Sequence, residues 1–227
     1  MIESVFMSGN KEVKVNASVT DFPVLTPIEF MFDGLKEAGV DGIEIATGIK
    51  SDWKKLEHLA DQYKLPILSV HQPSWSVAGL YFDENYFKNA ADIGVKALVF
   101  HPPPRFSFQN EEMKRHLGKL ASMQEKYNVK ALLENMPWAV RPTFFRKMLP
   151  YHNDTTKPLE VARAAKNHGL GITFDTSHAF NTEPHMQEWF DEVYLTIGNI
   201  HLSSFEEGRD HLPLDLGEFK ISSFVSE

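Results

Sequence analysis

The sequence predicts a (β/α) barrel whose mouth binds metal, and three observations lead there. Between Val13 and Ser203, short apolar segments alternate with charged stretches of helical spacing; there are seven such segments; and nearly every one ends in a carboxylate or an imidazole. Helices placed between strands make the strands parallel, because the crossover joining parallel neighbours is right-handed almost without exception. An open doubly wound sheet shares this rhythm but gathers its active groups at one switch point, whereas a barrel draws them from many strand ends around one opening. The spread of polar strand ends selects the barrel.

The elements follow in order. VKVNASV (13–19) reads as a strand, and PIEFMFDGLKEAGV (27–40) as a helix with Ile28, Phe32 and Leu35 on one stripe and Gly39 placed to close it. After the strand GIEIAT (42–47), the helical stretch WKKLEHLADQYKL (53–65) repeats the logic through Leu56, Leu59 and Tyr63, and PILSVH (66–71) is the third strand. ENYFKNAADIGV (84–95) ends at Gly94 before the strand ALVFH (97–101). EEMKRHLGKLASMQEKYNV (111–129) turns Met113, Leu117, Leu120 and Met123 inward before ALLEN (131–135). PLEVARAAKNHGL (158–170) opens on Pro158 and stops near Gly169, the usual asymmetry of helix ends. GITFD (171–175) and GNIHLS (198–203) complete the strands.

At 227 residues the chain suits one domain, 1–227. It has no cysteine, so disulfides, thiolate ligands and thiol catalysis are excluded, and a metal must be held by carboxylate, imidazole, amide or water. A formal charge of −8 offers no general attraction for a phosphate backbone, so a small polar substrate is expected rather than nucleic acid. With neither a basic-then-apolar leader nor a long apolar run, the expected compartment is the cytoplasm, away from membranes.

Read at the strand ends, the candidates are Glu44, His71, His101, Glu134, Asp175 with His178, and His201, followed by His211 in the next loop. A lone histidine is most often an ordinary hydrogen-bonded group, but recurrence at one position of a repeating unit directs these side chains to one cavity. Carboxylates with imidazoles suit zinc, manganese, iron or cobalt. In DTSH (175–178) the carboxylate leaves the strand and the imidazole follows one turn on; the bland alternative is a helix cap by Asp175 or Thr176 with His178 solvated. Glu134 follows apolar residues, a costly place for a charge unless it is paired or metal-bound. His71 and His101 precede prolines that end the ladder. For Glu44, strand alternation leaves the direction open and a core salt bridge is a credible alternative. Arg209 suits an anionic or hydroxylated substrate or a surface pair with Glu206 or Glu207, and Trp75, Phe106, Trp138 and Phe180 fall where they would line the substrate side or pack between loops.

The strings GVDGIEI, SVHQP, VFHPP, LLENMP, GITFDTSHAF and IHLSS with DHLPLDLGEF resemble the xylose-isomerase-like TIM barrel superfamily, which holds sugar-phosphate isomerases and epimerases and the endonuclease IV type of abasic-site nuclease, AP endonuclease family 2. In the isomerase branch the resemblance implies metal ligation by Glu134, Asp175 and His201 plus a glutamate on an eighth strand, with His178 and Arg209 beside the substrate. In the nuclease branch it implies a multi-zinc site onto which His71, His101, Glu134, Asp175, His178, His201 and His211 map, although Arg209 stands where that pattern has an aspartate. The leading expectation is an isomerase or epimerase of a small sugar or sugar phosphate working through an enediolate with zinc, manganese or cobalt. Glu134 and His178 are then catalytic, and His71, His101, Arg209, His211 and Trp138 lie on the substrate side. The rivals are a zinc-dependent AP endonuclease and a non-catalytic binding protein.

No eighth strand follows GEF, where KISSFVSE reads as the start of a helix. A fragment or an open seven-stranded barrel is the favoured expectation. The alternative is completion by IESVFM (2–7), which carries Glu3 and is joined by SGNKE, a link too short for a helical crossover and suited to a hairpin. An open edge would favour a homo-oligomer.

Overall fold

The computed structural model describes residues 2–7, 13–20, 27–47, 51–72, 83–102, 111–136, 158–182, 190, 192–206 and 209–217. The strands are β1 (Ile2–Met7), β2 (Val13–Thr20), β3 (Gly42–Ala46), β4 (Ile67–His71), β5 (Ala97–Phe100), β6 (Lys130–Glu134), β7 (Gly171–Asp175), β8 (Ile197–Leu202), β9 (Ser204–Glu206) and β10 (Arg209–Leu212). The helices are α1 (Ile28–Ala38), α2 (Trp53–Tyr63), α3 (Glu84–Asp92), α4 (Glu111–Tyr127), α5 (Pro158–Asn167) and α6 (Thr176–Thr182). The seven predicted strands are β2 to β8, each matching to within one residue at either end. The β9–β10 hairpin was not predicted. No helix among the described residues is long and apolar enough to cross a membrane.

β2 to β8 pair in parallel, in sequence order, and curl through 263°. The parallel sheet is therefore open, as expected, and β1 fills the gap by pairing antiparallel with β2 on one side and β8 on the other. The favoured expectation of an open seven-stranded barrel holds for the parallel strands alone; the alternative, completion by the N-terminal segment, is what closes the ring, and no standard eighth parallel strand lies among the described residues. Met7 stands opposite Val13, so the five residues between them join a hairpin. With both edges paired, the motive for a second copy that a free edge would supply is removed. The register sets Ser4, not Glu3, opposite His201 and Asn16; Glu3 stands opposite Leu202 and Ala17.

The helices cover the outside through the predicted stripes. Ile28, Phe32 and Leu35 of α1, Leu56 and Leu59 of α2, and Met113, Leu117, Leu120 and Met123 of α4 are all buried. The ends are made locally: the Asp52 carboxylate accepts the Lys55 N–H at 3.1 Å to cap α2, and Gly39 takes the left-handed conformation (φ 74°) that closes α1. Inside the ring a separate plug of Leu68, Ala97, Val99 and Leu132 fills the floor. Alternation turns Leu98, Phe100, Ala131 and Leu133 outward to the helices. Apolar floor and polar mouth thus come from the same strands.

Two register shifts decide which side chains share a level. Ile43 stands opposite Ile67 but Glu44 opposite Ser69, so Leu68 is the extra residue. Ile172 stands opposite Ile197 but Thr173 opposite Asn199, so Gly198 is extra, and Asp175 comes to face His201 instead of Ile200. A Cβ on Gly198 would lie 2.8 Å from Leu132 Cδ2, so a larger residue there would make the Leu132 side chain shift.

Candidate metal centre

Glu134 ends β6 beyond three fully buried apolar residues and is itself 2% exposed. Its partners are imidazoles. His71 Nε2 lies 2.9 Å and His101 Nε2 3.1 Å from Oε2, while His178 Nδ1 and His201 Nδ1 each lie 3.3 Å from Oε1. Four strand ends and the start of α6 thus converge on one carboxylate.

The second nitrogens show what the rings are set up to do. His71 Nδ1 lies 2.7 Å from the Gln72 carbonyl and His178 Nδ1 2.9 Å from the Asn135 carbonyl. A carbonyl only accepts, so both Nδ1 atoms carry the proton, and each ring when neutral offers its lone pair at Nε2. These point at further imidazoles: His71 Nε2 is 3.0 Å from His101 Nε2, and His178 Nε2 is 3.0 Å from His211 Nε2. Together with Glu134 Oε2, the first pair forms a triangle with edges of 2.9, 3.0 and 3.1 Å. A tetrahedral zinc with ordinary bond lengths holds its ligand atoms about 3.3 Å apart. His211 reaches its place through β10 with a backbone φ of 58°, the left-handed region that few residues other than glycine occupy.

Asp175 divides its oxygens. Oδ1 accepts the Ser177 hydroxyl and the His178 N–H, both at 2.8 Å, and so caps α6. Oδ2 is buried with no hydrogen-bond partner, 3.7 Å from both His201 Nδ1 and His211 Nδ1. The cap reading of DTSH is correct for one oxygen, but His178 is not solvated; it is 4% exposed. A buried, unpartnered carboxylate oxygen beside two imidazoles fits a cation.

Three groups of potential ligands result: His71 with His101 and Glu134; Glu134 with Asp175 and His201; and Asp175 with His178 and His211, each with its donor atoms within 4.8 Å of one another. Glu134 belongs to the first two and Asp175 to the last two, so the groups adjoin in a row. Among side chains that sequence reasoning gave no role, Asn135 stands out. Its amide donates to the Asp175 carbonyl at 3.0 Å and its Oδ1 accepts the Asp175 N–H at 2.7 Å, while its own carbonyl holds His178. The only signal was an amide directly after the strand-end glutamate.

Charge follows geometry. Burial opposes ionisation of Glu134, but His201 and His101 hold its carboxyl well below the usual range; at Asp175 His178 and His211 likewise overcome burial and lower it. Burial disfavours a charged His201, yet Glu44 and Glu134 raise its pKa well above the usual histidine range, and Glu134 raises His71 against burial. His101 is lowered, by burial and by the neighbouring His71. Glu44, fully buried, is drawn down to about 2 against its burial by His201.

Of the predicted residues, Glu44, His71, His101, Glu134, Asp175, His178, His201 and His211 are brought together. Arg209 lies on β10 opposite Glu206, two residues before His211. Trp138, Trp75 and Phe106 fall outside the described residues, and Phe180 lies in α6.

Comparison with known proteins gives a family and a fold. The family described as Xylose isomerase-like TIM barrel matches residues 32–227. An uncharacterised protein of Methanocaldococcus jannaschii is 28% identical over 189 residues, covering 74% of this chain and 61% of that protein. An uncharacterised protein of Mycobacterium tuberculosis is 25% identical over 118 residues, covering 48% of this chain and 41% of the relative. The chain therefore spans less than two thirds of the length of these curated relatives. Among solved structures, a 3-keto-D-glucoside 4-epimerase from E. coli superposes with a TM-score of 0.66 at 14% identity, covering 93% of this chain and 86% of the other. An AP endonuclease of family 2 from Brucella melitensis gives 0.66 at 16% identity over the same shares. D-allulose 3-epimerase from Methylomonas sp. gives 0.64 at 16% identity, covering 94% and 79%. At these identities the likeness is one of fold.

Proposed function

Because the chain belongs to the xylose-isomerase-like TIM barrel family, we propose that it is a divalent-metal-dependent isomerase or epimerase of a small sugar or sugar phosphate. The observation that carries this is the trio Glu134, Asp175 and His201, whose donor atoms converge at the mouth with Asp175 Oδ2 lacking any hydrogen bond. These three residues would hold the ion, and their mixture of oxygen and nitrogen suits zinc, manganese or cobalt. When bound, the ion supplies Lewis-acid polarisation of neighbouring substrate oxygens. Glu134 then moves the proton beside the substrate carbonyl, its carboxylate form secured by the surrounding imidazoles. His178, held through Nδ1 by Asn135, presents Nε2 for proton exchange with a substrate oxygen. His71, His101 and His211 would complete the substrate side, to which Arg209 and Trp138 are assigned by their sequence positions. One carboxylate can carry a proton between adjacent carbons on a single face, which serves isomerisation through an enediolate; epimerisation requires a second proton donor on the opposite face. Metal analysis followed by incubation of aldoses, ketoses and their phosphates in deuterated water tests the reading: deuterium enters the carbon beside the carbonyl with the wild type and not with Glu134→Gln that retains metal. Equal exchange by the variant removes Glu134 from that role.

A second reading rests on a different observation. The two imidazole pairs flank the central trio with shared carboxylates, an arrangement suited to several ions acting together on a phosphodiester. Strand scission of an abasic duplex in the presence of zinc, without exchange on sugars, would reverse the order of the two.

A further inference from the structure

We propose that Glu44 is a positioning residue that decides which nitrogen of His201 faces the metal group, an inference that rests on Glu134, Asp175 and His201 being a metal site. His201 differs from its neighbours. His71 and His178 are held through Nδ1 by main-chain carbonyls and present Nε2, whereas His201 turns Nδ1 towards Glu134 and Asp175. Its Nε2 lies 2.8 Å from Glu44 Oε1, an ion contact too bent to count as a well-aligned hydrogen bond. Within a ring of paired strands the backbone carbonyls lie in the sheet and bond to neighbouring strands, so an acceptor for a nitrogen facing the interior has to be a side chain.

Glu44 is built for that task. It is fully buried, and its Oε2 accepts the Ser69 hydroxyl at 2.6 Å and the Asn199 amide at 2.9 Å, with Ser18 Oγ 3.4 Å from Oε1. These partners come from β4, β8 and β2, so four strands fix one carboxylate. The register shift at Leu68 brings Ser69 opposite Glu44, and the shift at Gly198 brings Asn199 and His201 to their levels. With Oε2 doubly bonded, Oε1 is the oxygen that faces Nε2 of His201 at 2.8 Å, beside Ser18 Oγ; in the neutral ring a proton drawn to Nε2 frees Nδ1, which in the metal-free protein hydrogen-bonds Glu134 Oε1 at 3.3 Å. That assignment places the lone pair on Nδ1, which is the ligand-bearing tautomer at this site. A carboxylate placed only for stability would not need to discriminate between the two nitrogens.

The test uses full-length protein with ¹⁵N-labelled histidine and zinc as the probe, reading the imidazole nitrogens by long-range ¹H–¹⁵N spectra and affinity by competition with a chromophoric chelator. In the wild type, zinc shifts the His201 Nδ1 resonance while Nε2 stays protonated; His201→Gln assigns the signals. Glu44→Gln, which keeps shape but offers an amide N–H as readily as an oxygen, mixes the tautomers and weakens zinc roughly 10- to 100-fold. Ser69→Ala, a milder change, gives a smaller loss in the same direction and decides the matter if Glu44→Gln does not fold. Zinc binding as tight as wild type with unchanged His201 signals, in whichever variant folds, overturns the role of Glu44 while leaving the metal reading intact. A wild type whose His201 signals do not respond to zinc overturns both.

Discussion

Glu134→Gln in the metal-stripped protein tests the electrostatics of the centre most directly. The carboxylate is buried and touches four imidazoles, of which His71 and His201 are held above the usual histidine range. Removing one member of a buried ion pair costs about 3–5 kcal/mol while the partner stays charged. Imidazoles can discard the proton, however, which caps the cost where deprotonation is easy. The sign is then fixed. A histidine pKa raised by folding contributes stability that is fully present below the unfolded value, about 6.5, and is lost as pH rises through the folded value. The lowered carboxylate contributes stability present above about 4.5 and lost as pH falls through its folded value. Between these limits the pair is at full strength. Urea denaturation at pH 5.5 should therefore show a loss of about 3–5 kcal/mol. Above the folded histidine pKa the loss shrinks to that of hydrogen bonds to neutral rings, about 1 kcal/mol each. An equal loss at both pH values, or a smaller one at pH 5.5, would refute the charge assignment at His71 and His201.

Other outcomes follow from the same geometry. Zinc uptake should release protons and tighten as pH rises through the raised His201 pKa, measurable by calorimetry in buffers of differing ionisation enthalpy. His211→Asn, which tolerates the left-handed backbone at this partly exposed position, should leave thermal stability unchanged but lower the zinc content of the fully loaded protein. Gly42→Ala should destabilise by about 1–3 kcal/mol in chemical denaturation, because the added Cβ would lie 2.6 Å from Leu68 Cγ and 2.7 Å from the Pro66 carbonyl oxygen. Asn135→Ala should weaken zinc binding more than it lowers stability, since it frees the Asp175 backbone.

The strand ends were legible because the βα unit repeats: a polar residue closing GITFD or ALLE occupies the same level of the ring whatever the loop lengths between them. What escaped the sequence depends on counting across strands. Nothing local in GNIHLS says that Gly198 drops out of register, yet without that shift Ile200 would face Asp175 and His201 would sit one level off. The direction of Glu44 was open for the same reason, since Leu68 slips out of the ladder on the neighbouring strand. His211 could be suspected from HLP, but its meeting with His178 involves a register shift within β10 whose left-handed residue is the histidine itself, not a glycine or asparagine that would have announced it. β1 was visible as an apolar segment, but its closing role rests on pairing two strands distant in sequence.

The atoms of this centre divide between fold and chemistry within single side chains. Asp175 gives Oδ1 to the cap of α6 and leaves Oδ2 without a hydrogen bond; His71 and His178 give Nδ1 to a carbonyl and turn Nε2 to Glu134 and to His211; His201 turns Nε2 to Glu44 and Nδ1 to Glu134. Asp175 Oδ2 is the informative exception, because an unpaired buried oxygen costs about 1–3 kcal/mol. Here one end of each is held outside the metal group, and the other ends converge on the mouth around Asp175 Oδ2. Those held ends fix the mouth without the metal, so the protein should fold before it binds: metal-stripped protein should keep a cooperative melt, and a transition that appears only with zinc would show instead that the cation organises the mouth.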